Sequence, residues 1–154
     1  MEKNTHLDQT DYQILSILME NATLPYTEVA KIVAVSTGTV HVRMKKMEEM
    51  GIVKGARLII DYPKLGYDIT AFLGIYLQQS SFYNQAAAQL KEIPEVIELH
   101  YTTGNYNMFV KISCKDTQHL RKILHDKIQK VTGIERTETI ISLENTFSRN
   151  VSTL

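Results

Sequence analysis

Apolar residues recur every three or four positions in three stretches before residue 50, and nearer every second position in several stretches after residue 70. Helices are therefore expected first, and strands mixed with helices afterwards. In the first stretch Ile14, Leu15, Leu18 and Met19 share one side, Asp8 stands at the N-cap, and Leu7 and Tyr12 are spaced for a hydrophobic staple. That helix runs to about Asn21. Pro25 suits the first turn of a second helix, which turns Val29, Ala30, Ile32 and Val33 inward. A third starts from Ser36 as N-cap, buries Val40, Met44 and Met47, and stops at Gly51. The tight turn at Ala34 and Val35 makes the set a helix-turn-helix. Glycine is usual at such a turn, and alanine there costs about 1 kcal/mol if the backbone is left-handed.

Beyond Gly51 an extended segment from Ile52 to Ile60 is broken at Tyr62-Pro63-Lys64-Leu65-Gly66, which reads as a hinge. A strand over Ala71–Leu77 follows, then a helix capped near Ser80 or Ser81, carrying Ala86, Leu90 and Ile93 and stopped by Pro94. Strands over Val96–Thr102 and Met108–Cys114 are joined by the turn Thr103-Gly104-Asn105-Tyr106-Asn107. Asp116 caps a helix with Leu120, Ile123, Leu124, Ile128 and Val131 that reaches Gly133, and a last strand covers about Ile134 to Leu143. The order βαββαβ is the ferredoxin-like unit, two helices on one face of an antiparallel sheet, so the fold class is α+β. The expected organisation is a winged-type helix-turn-helix domain at 1–53, a hinge strand at 54–66 and the ferredoxin-like domain at 67–154. The uncovered sheet face calls for a partner, and a second copy is the simplest.

Composition agrees with this reading. Hydrophobic residues make up 44% of the 154, enough to build cores, and no apolar run is long enough to span a membrane. The start of the chain lacks the apolar core of a secretory signal, so a cytoplasmic place is expected. The single cysteine, Cys114, lies in an apolar alternating stretch and reads as a buried thiol. Net charge is zero but uneven. Up to Val35 two cations, Lys3 and Lys31, face five anions, Glu2, Asp8, Asp11, Glu20 and Glu28. From Ser36 to Gly66 six cations, Arg43, Lys45, Lys46, Lys54, Arg57 and Lys64, face three anions, Glu48, Glu49 and Asp61.

The positive stretch is centred on the third helix, whose side opposite Val40 carries Gly38, Thr39, His41, Val42, Lys45 and Lys46. Short hydroxyls and cations suit phosphates and base edges, and an exposed methyl suits a thymine methyl, so double-stranded DNA is the expected partner. Ser36 and Thr37 begin that face, and Lys54 and Arg57 on the hinge are further phosphate contacts. Arg43 belongs to the same candidate set, yet it sits nearer the buried edge and is equally placed to brace Glu48 or a carboxylate of the first helix.

Ser36-Thr37-Gly38-Thr39-Val40-His41-Val42-Arg43, Gly55-Ala56-Arg57, Leu65-Gly66-Tyr67-Asp68, Tyr101-Thr102-Thr103-Gly104 and Thr137-Glu138-Thr139 together resemble the Lrp/AsnC family of bacterial and archaeal transcriptional regulators. The resemblance covers nearly the whole chain and is strongest to the asparagine-responsive branch. It implies a dimer through the C-terminal (RAM) domains, assembly to an octamer, and an amino-acid effector, asparagine favoured, bound between dimers. The effector residues it implies are Tyr101, Thr102, Thr103, Gly104, Asn105, Tyr106, Asn107, Gln129, Thr137, Glu138 and Thr139. Many members have aspartate where this chain has Asn107; the neutral residue fits the asparagine branch and offers a carbonyl to a ligand ammonium.

Two other classes compete. An architectural protein would bind DNA without a small-molecule signal, and the 103–107 segment would then be a plain turn. An enzyme is the other, since ferredoxin-like domains host catalysis. His6, His41, His100, His119 and His125 show no metal-ligand spacing and no nucleophile has a recognised setting, so no cofactor, metal or catalytic residue is expected.

Overall fold

The computed structural model describes residues 6–152. Residues 1–5 and 153–154, the outer ends of the two expected domains with Glu2 and Lys3 of the charge tally, lie outside the described residues. The chain forms two compact units, the first running through Ile59 and taking in the segment from Phe147, the second running from Ile60 to Thr146. The final segment, expected with the ferredoxin-like domain, thus groups with the helices, where the Asn150 side-chain amide donates to the Met19 carbonyl at 3.2 Å.

In the first unit α1 (Gln9–Glu20) starts from a reciprocal cap. The Asp8 carboxylate accepts the Asp11 amide at 2.9 Å and the Asp11 carboxylate accepts the Asp8 amide at 3.1 Å, which satisfies two orphan donors at once. Helix α2 (Tyr26–Val33) follows Pro25 and ends at Ala34, with φ 57° and ψ 44°. Among the described residues Ala34 is the one non-glycine with positive φ. Helix α3 (Thr37–Glu49) begins where the Ser36 hydroxyl accepts the Thr39 amide at 3.0 Å. Gly51, at φ +71°, closes it: its own amide donates to Glu48, and the Ile52 amide reaches back to Met47, each at 2.9 Å. This double closure satisfies the last carbonyls in the manner of a Schellman motif. Ile14, Val29, Val40 and Met47 are fully buried at the centre. Ile32, expected inward, is 64% exposed, because the contacts of so short a helix are already filled by Val29 and Ala30.

The hinge differs from expectation. Residues 53–61 take no strand assignment among the described residues, and Leu58 and Ile59 are exposed. A strand needs a neighbour's free amides and carbonyls.

The second unit is a four-stranded antiparallel sheet in the order β2-β3-β1-β4, from β1 (Ile69–Leu77), β2 (Val96–Tyr101), β3 (Met108–Cys114) and β4 (Ile134–Ser142). Helices α4 (Tyr83–Lys91) and α5 (Thr117–Asp126) supply the apolar layer. Ala71, Leu73, Ile75, Val110 and Ile112 alternate onto that buried side and pack with Ala86, Leu90, Leu120 and Ile123. Two boundaries move from expectation. Ser80 and Ser81 open a short 3-10 turn, and α4 has no side-chain cap. Helix α5 ends at Asp126, and a 3-10 turn over Ile128–Lys130 then buries Ile128 and leads to a buried Val131. The tighter turn keeps both apolar residues inward without continuing the α-helix.

Candidate functional site

Helix α3 presents its outer side as the sequence pattern requires. Gly38, His41, Val42, Lys45 and Lys46 are exposed, Val42 at 70%, while Thr37 and Thr39 are half-buried. The Thr39 hydroxyl lies 2.8 Å from that of Ser36, so the pair forms one small polar patch at the helix start. The His41 ring stands edge-on to Tyr26 of α2, with centroids 4.8 Å apart, which restricts the imidazole on the open face. Lys54 and Arg57 are exposed on the segment that follows.

Arg43 does something else. Its guanidinium donates to both Asp8 oxygens at 2.7 and 2.6 Å and to Asp11 at 2.8 Å. The Asp11 side chain is fully buried, so the pair ties α3 to α1 across an interior carboxylate. These hydrogen bonds, from Arg43 foremost, hold the Asp8 carboxyl below its ordinary range, and reciprocally raise the guanidinium. The cation expected on the DNA face thus points into the helix bundle. Lys46 is nearer this cluster than its outward position suggests, with Nζ 3.6 Å from Asp11. Lys45 forms no ion pair among the described residues.

In the second unit the hairpin between β2 and β3 is anchored at its base and open at its tip. The Thr102 amide donates to the Asn107 carbonyl at 3.1 Å, the Thr102 hydroxyl to the Tyr106 carbonyl at 2.8 Å, and the Asn107 amide to Ile75 at 2.9 Å. Thr103, Gly104 and Asn105 are exposed, Gly104 at φ +100°, and among the described residues their amides donate to no group. Such amides form a ready anion cradle. Asn107 departs from expectation: its side-chain carbonyl accepts the Leu77 amide at 2.9 Å, just beyond the Ile75–Met108 end of the β1–β3 pairing. It therefore extends that ladder instead of standing free for an ammonium group.

The remaining candidates divide between the two sheet faces. Tyr106 and Glu138 lie on the uncovered face, whereas Tyr101 turns to the helical side against Tyr83, with centroids 4.3 Å apart. Thr137 and Thr139 pair with Ile75 and Leu73 and so share the helical side of the edge strand, away from Glu138. Gln129 is exposed on the 3-10 turn after α5. The structure thus holds the hairpin candidates together, with Thr102 bonded to Tyr106 and Asn107, and brings Tyr106 to Glu138, while Thr137 and Thr139 face the other side of the sheet and Gln129 lies on the turn after α5.

Three residues of the uncovered face were missed from the sequence: Gly74, Tyr76 and Arg136. Both Tyr76 and Tyr106 donate to Glu138, at 3.1 and 2.8 Å, and Arg136 donates to it at 3.0 Å while lying over the Tyr76 ring. A signal was available in Phe72-x-Gly74-x-Tyr76, where a glycine among alternating aromatics inside a strand marks a close approach.

Residues 7–54 match the winged helix-turn-helix DNA-binding family, and residues 70–151 match the Lrp/AsnC ligand binding domain. The chain is 42% identical over 146 residues to the regulatory protein AsnC of Haemophilus influenzae, spanning 95% of this chain and 97% of that protein. The solved structure of Escherichia coli AsnC is 41% identical and superposes with a TM-score of 0.89 over 96% of this chain and 99% of that one. A Neisseria meningitidis regulator solved as an L-Met complex shares the fold at 23% identity, with a TM-score of 0.88 over 94% of each chain. Among the described residues no helix is long and apolar enough to cross a membrane. With a helix-turn-helix whose third helix bares a basic face, a ferredoxin-like ligand-binding domain, and relatives aligned almost end to end, the chain belongs to the Lrp/AsnC family of DNA-binding transcriptional regulators.

Proposed function

We propose that this regulator reads a pseudo-palindromic operator as a dimer and responds to asparagine bound between dimers of a larger assembly, an octamer on the family pattern. The α3 face carries the DNA contacts: Gly38, His41 and Val42 toward base edges, Ser36, Thr37, Thr39, Lys45 and Lys46 toward the groove and phosphates, Lys54 and Arg57 toward the flanking backbone. Two recognition helices then occupy major grooves about one helical turn, or a multiple of it, apart.

The observation that carries the effector reading is the hairpin tip, where three consecutive amides at Thr103–Asn105 stand without acceptors beside a Gly104 that brings no side chain. They suit an amino-acid carboxylate. With the Asn107 carbonyl occupied by Leu77, the ammonium and the side-chain amide of the effector need acceptors and donors from a neighbouring copy, for which Gln129, Thr137 and Thr139 are placed on other surfaces of the domain. Support for an amino-acid effector comes from identity over almost the whole length to AsnC regulators, and the related fold is seen with L-Met in the Neisseria protein. The neutral residue at Asn107 favours the asparagine branch.

The test is calorimetry with asparagine, aspartate, glutamine and leucine against the parent and Gly104→Val. A Cβ at Gly104 has open space around it, but φ +100° strains any side chain there, and a valine's methyls would stand beside the tip amides. Asparagine is expected to bind the parent about fivefold to 150-fold tighter than leucine, because leaving a buried polar group unpaired costs about 1 to 3 kcal/mol. Equal heats for parent and variant would move the site elsewhere, and tighter leucine binding would remove the asparagine assignment.

A further inference from the structure

The uncovered sheet face holds a cluster that the effector hairpin shares with the edge strand. Gly74 of β1 pairs with Glu138 of β4 and with Phe109 of β3, so it sits mid-sheet between the two. The Tyr106 ring lies directly over it, and any Cβ at that position would collide with the ring. From there the Tyr106 hydroxyl donates to one Glu138 oxygen at 2.8 Å. The other oxygen accepts Tyr76 at 3.1 Å and Arg136 at 3.0 Å, and the two tyrosine rings meet edge to face with centroids 5.2 Å apart.

We propose that Glu138 is a positioning residue: clasped by the Tyr76 and Tyr106 hydroxyls and by Arg136, its carboxylate latches the effector hairpin onto β4 and does not itself meet the effector. The proposal rests on the reading of the 101–107 hairpin as the effector site. Both Glu138 oxygens are already occupied by donors from its own chain, and a carboxylate so engaged is a poor partner for an incoming ammonium. Tyr106 immediately precedes Asn107 and directly follows Asn105, the last residue of the tip. Fixing its ring fixes the path of the loop whose amides are to meet the carboxylate. The hydroxyl hydrogen bonds also hold Glu138 below its ordinary carboxyl range; hydrogen bonding to that carboxylate, then burial, raises the Tyr106 phenol, and burial, then the same hydrogen bonding, raises that of Tyr76. Gly74 is part of the device, since only a residue without a side chain admits the ring.

A latch and a direct ligand contact predict different orders of variants. For a latch, Tyr106→Phe and Glu138→Ala should each lower asparagine affinity about tenfold, the loss of one hydrogen bond to a charged group. Glu138→Gln should recover part of that loss, because its neutral carbonyl still accepts one hydroxyl. DNA affinity without effector should match the parent in all three. A direct ammonium contact would instead make Glu138→Gln as damaging as Glu138→Ala and leave Tyr106→Phe unchanged, and that result would overturn the proposal. The chain has eight tyrosines and no tryptophan, so tyrosine emission reports the clasp without any effector. Emission should rise in Glu138→Ala as the quenching carboxylate is removed, and rise less when the substitution is made in a Tyr76→Phe, Tyr106→Phe background. Unchanged emission in Glu138→Ala would overturn the latch whatever the hairpin binds. If emission changes as expected while Gly104→Val binds asparagine like the parent, the latch stands and the effector site lies elsewhere.

Discussion

At the residue scale, Ala34 holds a left-handed backbone that L side chains adopt at a cost. Ala34→Gly should relieve it and raise unfolding stability by about 0.5 to 1 kcal/mol, net of glycine's greater freedom in the unfolded chain. Urea midpoints at constant slope measure this; a lower midpoint would mean that the turn is not strained. Lys45 is exposed and unpaired among the described residues, so it is the cation of α3 freest to release a counterion on DNA. Lys45→Ala is expected to flatten the plot of log affinity against log salt by about one unit. Lys46→Ala should flatten it less, since Asp11 already draws that ammonium inward. Val42→Lys, by contrast, exchanges an apolar base contact for a charge. Its mark should be a smaller ratio of specific to random duplex affinity at one salt concentration, and an unaltered ratio would leave Val42 without a reading role.

At the element scale, α3 is held to α1 by a buried carboxylate and one guanidinium. Arg43→Met would leave the interior Asp11 carboxylate without its guanidinium, held by the Asp8 amide at 3.1 Å and with Lys46 at 3.6 Å, and should cost about 2 to 3 kcal/mol in urea unfolding. The same variant tells a brace from a phosphate contact. If Arg43 braces, the salt slope of DNA binding stays at the parent value once the protein is folded; a slope flattened by one unit would put Arg43 on the DNA. The adjoining cap makes the same point about α1: Asp11 is at once the N3 partner of Asp8 and the acceptor for α3, so one residue starts one helix and aims another.

At the scale of the whole molecule, acid should loosen both units. Asp8 in the first unit and Glu138 in the second have carboxyls held below their ordinary range by the hydrogen bonds they accept. Burial alone would raise Glu95, but the Lys127 ammonium at 2.7 Å, a backbone hydrogen bond and the neighbouring positive charge together outweigh it and bring that carboxyl down as well. A group whose folded pKa is depressed stabilises fully above its unfolded value, and that contribution is lost as pH falls through the folded value. Stability in urea should therefore be level near neutrality and decline from about pH 5 downward; a rise across that window would contradict the assigned shifts. The effector adds an assembly response. Asparagine can move the equilibrium between dimers and larger species only by its differential affinity for them, so sedimentation with and without asparagine should shift in the parent and not in Gly104→Val.

The sequence by itself determined the order of the five helices and of the four sheet strands, though not the state of the hinge, together with the N-cap of α3, its stop at Gly51 and its outward side. Those features are local: periodicity, an N-cap hydroxyl and a C-terminal glycine act within a few residues. The α5 boundary was lost to the same locality, because Ile128 and Val131 keep helical spacing while a 3-10 turn serves their burial equally well. Only tertiary structure decided which cations stay free. Arg43 and Lys45 are two positions apart, yet Arg43 is taken by Asp8, 35 residues away; its place near the buried edge left a brace and a DNA contact equally open, and only the packing of α3 on α1 chose between them. Strand register likewise set Glu138 beside Gly74 and turned Thr137 and Thr139 to the other face, and it gave the Asn107 carbonyl to Leu77. Alternation along a strand fixes two faces, but which residues of distant strands share one is settled by pairing across the sheet, where a shift of one residue would reverse every side chain.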